Sequence, residues 1–104
     1  MWNVLKFTYS DSGSDPVDEP GKRQVHTKIH GYLHLGEAET MFDHLRIAYQ
    51  YDMPLRVKGG KRIRILSVSL YTSFRDDQRQ AEEEVRNGGA RLIQEAHEIE
   101  IDLD

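Results

Sequence analysis

The sequence predicts an α+β fold: an antiparallel sheet carrying two helices on one face. Three observations lead there. Residues 23–35 alternate apolar and polar with period two, the mark of a half-buried strand. Residues 38–49 switch to helical spacing. A second strand-rich stretch and a second helical stretch then repeat the order. At 104 residues the chain suits one domain, 1–104, with one modest core.

The elements follow in order. Residues 2–9 read as a short strand with Leu5, Phe7 and Tyr9 on one face. Residues 10–22 hold Val17 as their sole apolar side chain among Ser, Asp, Gly and Pro. Such a stretch cannot bury enough surface to offset its ordering entropy, so a mobile acidic loop is expected there. In the strand over 23–35, Val25, Thr27, Ile29, Gly31, Leu33 and Leu35 alternate with Gln24, His26, Lys28, His30, Tyr32 and His34. Ala38, Met41, Phe42, Leu45, Ala48 and Tyr49 then form one helical stripe. Pro54 ends that helix near Gln50, because the residue before a proline avoids helical geometry.

Residues 54–71 read as a hairpin about Lys58-Gly59-Gly60. A two-residue turn would mix apolar and basic residues on each face. A three-residue loop with Gly60 left-handed pairs Val57 with Lys61 and Leu55 with Ile63, and collects Arg56, Arg62 and Arg64 on the other face. Beyond it Leu66, Val68 and Leu70 fall one step out of phase, which predicts a β-bulge near Ile65-Leu66 that returns all three to the core. Ser73-Phe74-Arg75-Asp76 has capping-box spacing with Asp in the Glu position. It predicts a helix to about residue 96, kinked or frayed at Gly88-Gly89, although Asn87-Gly88-Gly89 could equally end it. Ile99, Ile101 and Leu103 alternate with acids as a last strand. The order is β-β-α-β-β-α-β. Without the first strand it is the βαββαβ pattern of a ferredoxin-like sandwich. The first strand must find an edge or pair with strand 23–35, which would change the sheet order.

The chain has no cysteine, which excludes disulfides, thiolate metal sites and cysteine nucleophiles. It holds no run of about 18 apolar residues, so no membrane span is expected, and its start lacks the pattern of a signal peptide. A cytoplasmic protein is the expectation. The net charge of −4 hides an uneven distribution. Residues 53–75 carry six basic and no acidic side chains, while 76–104 carry three basic and ten acidic ones.

His26, His30 and His34 recur every four residues. On a strand each lies about 13 Å from the next, too far to share one metal ion. No metal or cofactor is expected. Asp43-His44 and Glu95-x-His97 lack a nucleophile or third member, and no phosphate loop or nucleophile elbow is present. The sequence therefore leans away from an enzyme. A pocket using His44 or His97 would be the form an enzyme or ligand carrier took. The basic hairpin is the sharpest candidate: Arg56, Lys58, Lys61, Arg62 and Arg64, with Tyr32, His30 and His34 adjoining. Arginines facing each other across a strand pair repel unless something neutralises them. The expected neutraliser is protein, either a second copy forming a homodimer across the open sheet face or an acidic partner. The alternative is nucleic acid on the same hairpin, which the acidic loop and tail would oppose.

Overall fold

The computed structural model describes residues 1–11 and 24–97. The expected strand at 99–103 and residues 12–22 of the loop expected over 10–22 lie outside the described residues; Ser10 and Asp11, expected in that loop, instead extend β1. The described elements are β1 (Trp2–Asp11), β2 (Val25–Tyr32), α1 (Leu35–Gln50), β3 (Leu55–Arg56), β4 (Arg62–Ser73), α2 (Gln78–Arg86) and β5 (Arg91–Glu95). The class is α+β: among the described residues, an antiparallel sheet of five strands with two packed helices, consistent with a ferredoxin-like fold.

The strand order is β2-β1-β4-β3, with β5 also on β4, and every pairing is antiparallel. The N-terminal strand pairs with β2 as a hairpin and with β4 on its other side, so it lies inside the sheet. Because β1 occupies one edge of β4, β3 and β5 share the other. β3 takes the start of β4 at Ile63 and β5 takes its end at Tyr71.

Two adjacent residues of β1, Val4 and Leu5, are both fully buried. Successive strand residues point to opposite faces, and the two join separate clusters. Leu5 packs with Phe42, Leu45, Ala38 and Ala48 of α1 and with Ile63, Ile65, Val68 and Leu70 of β4. Val4 packs with Ala81 and Val85 of α2, flanked by Trp2, Ile29 and Tyr71. The face carrying Leu5 is therefore the α1 face and the face carrying Val4 is the α2 face, so the two helices pack on opposite sides of β1 rather than on the one face expected. Gly31 of β2 shows how closely α2 approaches: a Cβ there would stand 3.2 Å from Gln78 Cγ. The Gly31 carbonyl accepts a 2.9 Å hydrogen bond from Gln78 Nε2.

The hairpin loop matches its prediction. Leu55 pairs with Ile63 and Arg56 with Arg62; Val57 N–H donates to the Lys61 carbonyl at 2.9 Å; Gly60 has φ +83°. The bulge is also present. β4 changes register on β1 between Ser67 and Ile65, and Val68 and Leu70 return to the core; Leu66, expected to return with them, is itself the unpaired bulge residue and stays exposed.

Four further expectations need correction. The strand over 23–35 is shorter: Leu33 and Leu35 belong to the turn and the start of α1, and both are exposed, as is Val25. Among the described residues β2 is an edge strand, and Gly31 is its one buried residue. α2 starts later than the Ser73 box implies: Asp77 is the N-cap, accepting from Gln80 N–H at 2.8 Å. α2 also stops at Arg86, with Asn87 as C-cap and Gly88 at φ +79°. The glycines end the helix because a left-handed residue satisfies its last carbonyls. Finally, residues 91–95, expected as helix, form β5.

Candidate interaction surfaces

α2 covers the end of its face bearing Trp2, Val4, Gly31 and Tyr71. Registers place Lys6, Thr8, Thr27, Ser67 and Ser69 on the same face beyond it. Thr8 and Ser67 hydroxyls hydrogen-bond across the strands. Arg64 follows opposite Ser10, and Arg62 faces Arg56 at the far edge. A hydroxyl-rich strip thus runs into a cluster of cations. Glu95, opposite Ser69, marks its border on β5.

The predicted residues divide. Arg56, Arg62 and Arg64 share this face, and Lys58 and Lys61 stand exposed in the loop beside them. Arg64 is neutralised from within the chain: its Nε lies 3.4 Å from Asp52 Oδ1, although it is not aligned for a hydrogen bond. Asp52 reaches this position with φ +51° just beyond α1. Among the described residues Arg56 and Arg62 have no acidic partner.

Tyr32 and His30 do not join the arginines. They pair with Asn3 and Leu5, on the α1 face. The sequence grouped them with the arginines by supposing that one polar face ran across the whole sheet. His34 precedes α1 and makes no side-chain capping bond. On the α1 face His26 stacks on Tyr9 at 5.2 Å and lies 3.7 Å from Asp11 Oδ2, and His30 meets Tyr32 edge-on at 4.5 Å. Burial, and then the Glu37 carboxylate, raise the Tyr32 phenol above its ordinary pKa of 10.0. A groove of about 220 Å³ runs here between Phe7, Lys28, His30 and Met41. Among the described residues no group of three acids or histidines is placed to hold a metal ion. Asp43 pairs with Arg46 at 3.4 Å rather than serving His44, and His97 is exposed, its carbonyl accepting from Gln50.

Sequence reasoning missed a second surface. All five residues of β5 are exposed, and among the described residues β5 pairs only with β4. Leu92 is 47% and Ile93 51% exposed, beside Met1 at 63% and Phe74 at 75%. Together with Thr72 and Arg91 they line an open groove of about 380 Å³. Taking Asn87-Gly88-Gly89 as a stop would have exposed Leu92 and Ile93 as part of a short strand.

The chain matches no protein-family model, no curated protein and no solved structure. Among the described residues, no helix is long and apolar enough to cross a membrane.

Proposed function

We propose that the protein is a protein-binding or regulatory module that self-associates, with the basic half of its sheet, which carries no helix among the described residues, as one binding surface. The observation that carries this reading is the Arg56–Arg62 pair, two cations held directly opposite each other and exposed, with no acid beside them among the described residues. An acidic protein surface would relieve that repulsion and bond the neighbouring Ser and Thr hydroxyls. A second copy supplies such acids in residues 76–104, and an acidic partner protein satisfies the same surface.

Light scattering between micromolar and millimolar concentration tests the reading. Self-association raises the mass from 12.1 kDa toward twice that value, and Arg62→Glu weakens it if the basic half-face is the contact. A monomer throughout would remove self-association.

Nucleic acid is the second reading, favoured by the same cations. It predicts oligonucleotide binding that falls steeply with salt and is weakened by Arg62→Glu. Titration of labelled single- and double-stranded oligonucleotides near 50 mM salt decides it. Absence of binding there ends that reading.

A further inference from the structure

We infer that the outer edge of β5 is a contact between two copies of this chain, the strands adding antiparallel about a two-fold axis. The inference rests on the self-association reading above but not on its basic half-face.

Three features of β5 support it. Among the described residues its outer edge is unpaired, so its outward N–H and C=O groups form a template for another strand. The centre of the strand is apolar, with Leu92 and Ile93 about half exposed and Met1 and Phe74 beside them. Two copies meeting at this centre shield Leu92 and Ile93 from water, on each copy at once. The charges select the partner and its direction. β5 begins with Arg91 and ends with Glu95. Antiparallel approach brings the cationic end of each strand beside the anionic end of the other, whereas parallel approach sets like against like. A strand of opposite polarity is what this edge fits, and a second β5 is one. Antiparallel addition of one edge to itself closes a dimer and leaves no further edge of that kind.

The edge also limits the strength of the contact. β5 has five residues and changes register on β4 between Gln94 and Leu92, and such bulges blunt edges. A contact this short buries less than about 1,200 Å², the range of weak, reversible association. The dimer is therefore concentration-dependent and forms at micromolar concentration or above.

Two measurements test it on the whole chain: sedimentation velocity across concentration, and amide hydrogen exchange at low and high concentration. Ile93→Lys puts a charge at an already exposed site, so the fold survives, as a thermal melt will verify. The expected result is at least tenfold weaker association for Ile93→Lys. Amides of residues 91–95 gain protection with concentration in the unaltered protein only. Two results overturn the inference: association left unchanged by Ile93→Lys, or β5 amides indifferent to concentration while the protein dimerises. Loss of the dimer in Arg62→Glu but not in Ile93→Lys assigns the contact to the basic half-face instead. A monomer at every concentration overturns both surfaces as self-contacts.

Discussion

Arg62→Glu should stabilise the isolated fold while weakening binding. Arg62 faces Arg56 across β3 and β4, where directly opposed side chains interact by roughly 0.2–1 kcal/mol in either sense. Relieving the repulsion and replacing it with attraction swings the pair by about 0.5–1 kcal/mol. Lys58 and Lys61 beside it are exposed cations of the same loop and add to the gain. For a chain of this length about 1 kcal/mol corresponds to roughly 4–8 °C in Tm, so an increase of about 2–8 °C is expected. Arg62→Gln removes only the repulsion and should give about half the gain. Thermal melts at low and at 1 M salt make the assay, because exposed charges are screened within about 3 Å at 1 M. An unchanged or lowered Tm in a correctly folded Arg62→Glu protein would refute the reasoning. So would a gain that persists at high salt, since its origin would then not be the paired charges.

Other consequences are as direct. Asp77→Ala removes the acceptor for Gln80 N–H and should cost about 1 kcal/mol in urea denaturation. Asp76→Ala, whose side chain does not cap α2, should cost far less. Gly31→Val drives a branched side chain into Gln78 Cγ, already 3.2 Å from where a Cβ would stand. A loss of about 1–3 kcal/mol is expected, with the Trp2 fluorescence shifting as α2 is displaced. Tyr32 should ionise later than a free tyrosine when phenolate absorbance is followed, because its folded pKa is raised above 10.0. The folded state then holds its proton where the unfolded chain releases it. Stability falls as pH rises past 10.0, and Tyr32→Phe flattens that fall.

What could be read from the sequence was local and periodic. The loop at Lys58–Gly60 and the bulge at Leu66 followed from which residues would share a face. Both stand because a one-residue slip would have exposed Ile63, Val68 or Leu70. α1 followed from Phe42 and Leu45 at helical spacing. The end of α2 was harder, because Leu92, Ile93 and Ala96 continue its stripe in phase. Gly88 outweighed the stripe, and only Ala96 of the three is buried. The site was half legible. Arg56, Arg62 and Arg64 gather as their alternation requires. Tyr32 and His30 fall on the other face, since no alternation within single strands tells which sides of β2 and β4 coincide. Only the registers through β1 do so, pairing His30 with Leu5 and Leu5 with Leu70.

The position of β1 also governs when this protein can fold. Its longest partner strand is β4, and the pairs run from Trp2 with Ser73 to Asp11 with Ile63. β1 therefore leaves the ribosome some fifty residues or more before its main partner, β4, exists. Closing so wide a loop precedes any reward from the pairing, which slows folding relative to proteins built on local contacts. Until then β2 is β1's one pairing partner among the described residues, and a two-stranded hairpin is marginal in water. The Val4 side of that hairpin remains wet until α2, which follows β4, is made. Nascent chains truncated before residue 73 should consequently be sensitive to protease throughout, with protection arriving abruptly once β4 is complete.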